Sequence, residues 1–209
     1  MKVIVSQFIH NARNRLMGLA DHLESTGQQQ QSDEVLRIGS LLSSAMALLK
    51  LEDDEVPLSV MEVNLEVFFA ELRAQVNSLC PEHLTTHCES DFSLCIFPIW
   101  TFDEELVRMV IIDALMNAWQ YASHQVSLRC VWQDGELIFT VEDDGPGYPE
   151  SILANQGLQA VAPSKGTGSG LHLARQIAGK HKTNGKTGQI HLTNLDGEQH
   201  GAQFELKLP

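Results

Sequence analysis

Apolar side chains in the N-terminal part of the chain recur at helical spacing. Val5, Phe8, Ile9, Ala12, Leu16, Leu19 and Leu23 fall on one face at about 100° per residue, which predicts a helix from residue 2 to about 25. The polar run Ser25-Thr26-Gly27-Gln28-Gln29-Gln30-Gln31 interrupts it and reads as a hairpin loop. Ser32 followed by Asp33 and Glu34 is a helix start, with acids suited to the positive end of the helix dipole. A second stripe of Leu36, Ile38, Leu41, Leu42, Ala45, Leu48 and Leu49 carries that helix to about Leu51. Two helices cannot bury stripes this wide against each other alone, so the pattern predicts a four-helix bundle formed by two copies.

The period changes after Glu52-Asp53-Asp54-Glu55-Val56-Pro57, an acidic run closed by proline that marks a linker. Helical spacing returns over residues 64–79 and again, for longer, over 103–123. Residues 85–99 read as one or two strands. Alternation over 126–132 and 137–141, joined through Gln133-Asp134-Gly135, predicts a hairpin. A glycine-rich stretch precedes a helix at 170–181, and strands at 189–193 and 202–208 close the chain. The fold class expected is α+β: an N-terminal antiparallel helical hairpin over residues 1–52, then a sandwich over 56–209. In the sandwich, helices cover one face of a mixed or mainly antiparallel sheet.

Composition narrows the classes of function. Fourteen Lys and Arg against 27 Asp and Glu give a net charge of -13, which opposes nucleic acid or an acidic membrane surface as partner. It leaves open a nucleotide, whose charge can be met locally by a metal ion, backbone amides and a helix end. Cys80, Cys88, Cys95 and Cys130 form no CxxC pair and no zinc spacing, so free thiols in a reducing compartment are expected. No run of about 18 apolar residues suggests a membrane span, and the N-terminus is too polar for a signal peptide. The expected location is the cytoplasm.

Three segments carry candidate chemistry. In Asp113-Ala114-Leu115-Met116-Asn117-Ala118-Trp119-Gln120-Tyr121-Ala122, the residues Asp113, Asn117 and Tyr121 line one side of a helix. An asparagine carbonyl suits a magnesium ion also held by phosphates, although the wet side of an amphipathic helix explains the segment as simply. Glu142-Asp143-Asp144-Gly145-Pro146-Gly147-Tyr148-Pro149 follows an apolar strand. A carboxylate there can accept from an adenine amino group, while Gly145 and Gly147 permit tight turns; an ordinary loop turn is the plain alternative. In Lys165-Gly166-Thr167-Gly168-Ser169-Gly170-Leu171-His172, alternating glycines open into a helix, presenting backbone amides and Lys165 to an anion. Neither the Rossmann fingerprint nor the Walker lysine pattern fits.

In this order the three segments resemble the ATPases shared by DNA gyrase, the Hsp90 chaperones, MutL proteins and histidine kinases, whose nucleotide site is of the Bergerat type. The resemblance covers roughly residues 56–209, including the closing Gly201-Ala202-Gln203-Phe204-Glu205-Leu206-Lys207-Leu208-Pro209. It implies ATP and Mg2+ as cofactors, with Asn117 on the metal, Asp143 on adenine, and Gly145 and Gly147 bordering the base. It further implies Gly166, Gly168 and Gly170 beside the phosphates and a short lid over about 149–165, with Tyr121, Lys165, Thr167 and Leu171 among the nucleotide-contacting residues.

Within that family, Phe8-Ile9-His10-Asn11-Ala12-Arg13-Asn14-Arg15-Leu16 looks like the phosphoacceptor box of histidine kinases. At ~100° per residue, His10 points roughly 150° from the centre of the apolar stripe and faces solvent, with Asn14 one turn on. The resemblance implies a kinase that phosphorylates His10 and passes the phosphate to an aspartate on a response regulator receiver domain. It also implies a homodimer through the hairpin, with input from a separate sensor protein or a longer parent chain. Asn14 would orient a water for dephosphorylating the partner.

One departure matters: Asn11 stands where the family has the acid expected as general base, and an amide does not take up a proton at useful pH. Asp113, at the position of the gyrase-type catalytic glutamate, is a substitute candidate, or serves only magnesium. A histidine phosphotransferase or pseudokinase scaffold with weak autokinase activity is therefore an alternative, and an anti-sigma-factor-type serine kinase a more distant one.

Overall fold

The computed structural model describes residues 12, 15–16, 18–20, 22–23, 25–28, 31, 35, 38–39, 42, 58–95, 97–156, 170–195 and 200–209. The chain divides into two compact units, residues 1–57 and 58–209. In the first, the described residues from Ala12 to Ser25 are helical, as are Gln31, Val35, Ile38, Gly39 and Leu42. The turn between them is tighter than the polar run suggests, because Gln31 is already helical. The Thr26 N–H donates to His22 O and Leu23 O, both at 3.2 Å, and the Gln28 N–H to Leu23 O at 2.9 Å. Gly27 takes φ +74°, the left-handed conformation that ends helices at little cost. The Ser32-Asp33-Glu34 start and the linker at 52–57 lie outside the described residues.

The second unit runs β1 (Val60–Asn64), α1 (Leu65–Leu79), β2 (Thr85–Asp91), β3 (Ile99–Asp103), α2 (Glu104–Tyr121), β4 (Gln125–Gln133) and β5 (Glu136–Asp143). It continues with α3 (Glu150–Asn155), α4 (Gly170–Lys180), β6 (Lys182–Thr183), β7 (Lys186–Thr187), β8 (Gln189–Leu195) and β9 (Gly201–Leu208). Five strands form one sheet in the order β2-β4-β5-β9-β8, in which only β2 and β4 run parallel. β1 pairs antiparallel with β3, and β6 with β7. The β4–β5 turn places Asp134 and Gly135 at φ 55° and 77°, the paired left-handed conformation that suits the twist of a two-residue hairpin.

Alternation along the strands sorts the two faces. Leu128 opposes Val141, Phe139 opposes Leu206 and Leu192 opposes Phe204, all buried beneath the helices. Phe68 of α1 meets Phe102 and Phe139 edge-on at 5.3 and 6.0 Å between centroids, joining helix, β3 and sheet in one core. The other face is mostly polar, with the Val131–Ile138 pair set among charged and hydroxyl side chains. Glu142 accepts from the Gln203 amide at 2.6 Å and from the Ser127 hydroxyl at 3.3 Å, and Lys207 pairs with Glu205 at 3.3 Å. One dry and one wet face is the usual economy of an antiparallel sheet.

Both long helices begin on a side-chain cap. Asn64 Oδ1 accepts from the Val67 N–H at 3.1 Å, and Asp103 Oδ1 from the Leu106 N–H at 3.0 Å. Asp103 Oδ2 also takes the Ser59 N–H at 2.9 Å, while its own N–H donates to buried His181 Nε2 at 3.1 Å. The other ring nitrogen, Nδ1, lies 2.8 Å from Ile177 O, so the ring is neutral with its proton on Nδ1. Burial lowers the His181 pKa, against the opposing pull of the Ile177 carbonyl and the Asp103 charge. This ring ties the start of α2 to the end of α4. Sequence periodicity misses β1, α3 and the β6–β7 hairpin, and β3 extends past the strand region read at 85–99.

Candidate functional site

Helix α2 buries Leu106, Val107, Val110, Ile111, Leu115, Ala118 and Trp119, which turns Asp113, Asn117 and Tyr121 onto its wetter side. Asp113 and Asn117 are half-buried, and Tyr121 is 42% exposed. The Asn117 amide makes no side-chain hydrogen bond among the described residues. Eight residues at a rise of ~1.5 Å set Asp113 and Tyr121 about 12 Å apart along the helix.

The Tyr121 end of this face meets the end of β5. Gly145 packs against the Tyr121 carbonyl so closely that a side chain there would overlap it and would also lie 2.8 Å from Asp143 Oδ1. Asp143, 8% exposed, accepts the N–H groups of Gly145 and Ala202 on Oδ1, at 2.8 and 3.3 Å. Its second oxygen takes no hydrogen bond among the described residues and remains available to an outside donor. Burial raises the Asp143 pKa, the two N–H groups oppose it, and the neighbouring Asp144 charge adds to the rise.

Asp144 does different work. Its carboxylate accepts from the backbone N–H groups of Ser123, His124 and Gln125 at 2.8, 3.0 and 3.2 Å, pinning the end of α2 to the end of β5. Burial pushes its pKa up, but these backbone donors outweigh that and hold it below the ordinary carboxylate range.

The Asp113 end meets α4. Asp113 Oδ2 stands where a side chain on Gly170 would begin, so the first residue of α4 abuts the α2 carboxylate. Leu171 follows, half-buried. The structure therefore brings Asp113, Asn117, Tyr121, Asp143, Gly145 and Gly170 along a single helix face. His10, Asn11, Asn14, Lys165, Gly166, Thr167 and Gly168 lie outside the described residues.

Several supporting residues escape sequence reading. Gly147 at φ 82° backs onto the Asn194 amide, which accepts from the Tyr148 N–H at 2.6 Å and donates to Tyr148 O at 3.0 Å. This clasp fixes the loop after Gly147. The Tyr148 phenol is pushed up by burial and then by the Asp143 charge, which places it near that carboxylate. Gln156, left-handed at φ 48°, ends α3. Its amide bridges the Leu192 N–H and C=O of β8, both at 2.9 Å, and its carbonyl accepts from the Arg175 guanidinium of α4. Partners this distant in sequence leave no local signal; only the Asp144-Gly145 and Pro146-Gly147 turn chemistry hints at the loop after β5.

Magnesium fits the donor set as a shared ion. Among the described residues no three His, Cys, Asp or Glu side chains converge on a metal position, so Asn117 and Asp113 would hold it only together with ligand phosphates. No helix among the described residues is long and apolar enough to cross a membrane.

Comparison with known proteins agrees with this geometry. The adaptive-response sensory kinase SasA of Microcystis aeruginosa is 29% identical over 152 residues, covering 64% of this chain and 38% of that protein. The signal transduction histidine-protein kinase AtoS of Escherichia coli is 34% identical over 112 residues, covering 51% and 17%. The chain thus spans well under half the length of these relatives. Full-length ShkA, solved in complex with AMPPNP, superposes with a TM-score of 0.66 over 100% of this chain and 45% of its own, at 21% identity. The Acinetobacter baumannii histidine kinase AdeS gives 0.61 over 95% of both chains, at 15% identity. At these identities the likeness concerns the fold. Residues 102–209, more than half of the chain, match the histidine kinase-, DNA gyrase B- and HSP90-like ATPases, and the chain belongs to that family.

Proposed function

We propose that the chain is the core of a two-component histidine kinase: residues 56–209 bind ATP with magnesium, and residues 1–52 dimerise and carry the phosphoacceptor His10. One observation carries the reading of the site. The two glycine contacts, Gly145 on Tyr121 and Gly170 on Asp113, mark opposite ends of a helix face about 12 Å long. That length suits a nucleoside triphosphate with its base at Asp143 and its phosphates at the α4 N-terminus. Asn117 then lies between the two ends.

In this reading the free Asp143 oxygen accepts from the adenine amino group, while Gly145 and Gly147 border the ring. Lys165 and the amides around Gly166, Thr167, Gly168, Gly170 and Leu171 face the phosphates. The metal, when bound, neutralises phosphate charge and polarises the γ-phosphoryl group. A neutral nitrogen of His10 attacks the γ-phosphorus, an N–P bond forms, the bond to the β–γ bridging oxygen breaks, and ADP leaves. The ring then carries a surplus proton. Asn11 cannot accept it, so it passes to water or another side chain, and the expected autokinase rate is low. The phosphoryl group goes on to an aspartate of a response regulator receiver domain, and Asn14 is the residue assigned to orient a water for dephosphorylating that partner. Leu19 and Ile38, members of the two stripes, are 46% and 44% exposed in the single chain, which supports a homodimer through the hairpin. A cytoplasmic location and a separate sensor protein complete the proposal.

Asn11 favours a second reading, in which His10 only relays phosphate. Incubation with labelled ATP and magnesium separates them. Acid-labile, base-stable label that disappears in His10→Ala supports the kinase. ATP binding with no label on His10 supports the relay, and label on a partner serine would replace both with a serine kinase.

A further inference from the structure

The mostly polar face of the main sheet carries a cleft of about 300 Å³, on the side away from the helices. Along β5, Asp143 shares a face with buried Phe139 and Val141, whereas Thr140 alternates to the opposite face, so the cleft is separate from the nucleotide site. Strand register builds its floor. Arg129 lies opposite Thr140 and Thr140 opposite Glu205; two residues along, Asp91 lies opposite Val131 and Val131 opposite Ile138. Leu94, 69% exposed, adds a third apolar side chain to the lining. A volume at the lower end of ligand pockets admits a small molecule rather than a folded partner.

Two of the lining groups are poorly satisfied by the protein itself. Thr140 is 4% exposed, yet its hydroxyl makes no hydrogen bond among the described residues, which is a costly way to bury a polar group. Arg129, its side chain 53% exposed, has one ion pair among the described residues, with Glu142 at 3.8 Å, too long for a hydrogen bond. Asp91 supplies the opposite charge. Its Oδ1 accepts from the Ser93 N–H at 2.9 Å, and the Ser93 side chain and backbone lower its pKa, so it is ionised at neutral pH. Glu205 is already matched by Lys207 at 3.3 Å. Arg129 and Asp91 are diagonal neighbours on adjacent strands, about 8 Å apart between backbones from a strand spacing of ~4.8 Å and a two-residue rise of ~6.6 Å. A plain carboxylate here would meet Asp91 as a like charge, and a plain amine would meet Arg129. A zwitterion offers one group to each.

We propose that this cleft binds a free α-amino acid with an apolar side chain, its carboxylate held by Arg129 and the Thr140 hydroxyl and its ammonium by Asp91. The apolar side chain covers Leu94, Val131 and Ile138.

Calorimetric titration of the full chain with L-leucine and L-phenylalanine tests this, beside glycine and the des-amino carboxylate and decarboxylated amine of each. At least one of the two amino acids is expected to bind with a dissociation constant of roughly 1 mM or below, and its stripped counterparts and glycine at least about tenfold more weakly. Arg129→Gln and Asp91→Asn are each expected to lose about tenfold or more, as a charge-assisted contact requires. Thr140→Val keeps the shape and removes the unpaired hydroxyl. It is expected to weaken binding about threefold or more while melting at or above the wild-type temperature, a combination that a merely structural threonine would not give. Both charged side chains are exposed enough to be replaced without disturbing the core, and should a variant still fail to fold, the probe series on the wild type decides alone. No binding of either amino acid at up to roughly 10 mM overturns the inference. So does a carboxylate or amine that binds as tightly as its parent amino acid, or an affinity unchanged in any of the three variants.

Discussion

Gly145→Ala isolates the contact between the Asp143 end of the candidate site and helix α2. The φ of Gly145 lies outside the left-handed region, so alanine meets no backbone strain and its effect is purely steric. The new Cβ would overlap the Tyr121 carbonyl and stand 2.8 Å from Asp143 Oδ1 and 3.0 Å from the Tyr121 carbonyl carbon. Ordinary contact begins near 3.4 Å, so the neighbours must yield by half an ångström or more. Neither yields easily. Ala122, next to Tyr121, donates to Ala118 O at 2.8 Å, and the following three N–H groups are held by Asp144. Overpacking of this kind costs about 1–3 kcal/mol. For a unit of this size, roughly 2–4 °C per kcal/mol puts the fall in melting temperature at about 2–12 °C. If Asp143 accepts from ATP as proposed, displacing it by that amount also misaims its free oxygen, and a lost or bent hydrogen bond of about 1–3 kcal/mol weakens ATP binding roughly 5- to 150-fold. Differential scanning fluorimetry with and without MgATP reads both effects. A variant that melts within a degree of wild type and retains its ATP-induced shift refutes the tight contact and the role of Asp143 together.

Two other perturbations probe the supports. His181 is held neutral, so as pH falls below its ordinary value near 6.5 the unfolded chain takes up the proton before the folded one does. Its stabilisation is complete above that pH and declines below it; thermal melts from pH 7 to pH 5 are expected to fall more for wild type than for His181→Gln, and parallel curves would reject the assignment. Gln156→Leu removes both amide bonds to Leu192 and is expected to cost about 1–3 kcal/mol. Hydrogen exchange should quicken at the Leu192 amide in particular, and unchanged protection there would contradict the bridge.

Much of this fold is written in local pattern, and what is not has a physical reason. Asn64 and Asp103 start their helices as caps because a short polar side chain before an apolar period has one favourable use there. Asp134-Gly135 specifies its hairpin because few residue pairs tolerate two successive left-handed conformations. β1 is different: of its five residues only Val63 is buried, so the strand exists through pairing with β3 and shows no alternation to read. α3 buries nothing and is six residues long, too short for a period to register. In the candidate site, Asp113, Asn117, Asp143, Gly145 and Gly170 stand out in the sequence as residue types with few chemical roles in such a setting, and the structure sets them along one helix face. Asn194, Gln156 and Arg175 were not, since a polar residue that braces a remote loop looks like any solvated one until its partner is known.

The Gln156 bridge bears on more than the neighbouring loop. β8 is an outer strand of the main sheet, and such a border offers vacant N–H and C=O groups to any passing extended chain. By claiming both groups of Leu192, the glutamine interrupts that template at its middle. The opposite border, β2, carries Glu89 and Asp91 in exposed positions, so its defence is charge. A protein kept at high concentration in the cell would thereby resist growing into ribbons through either side of its sheet, and loss of the amide would open one flank to that hazard.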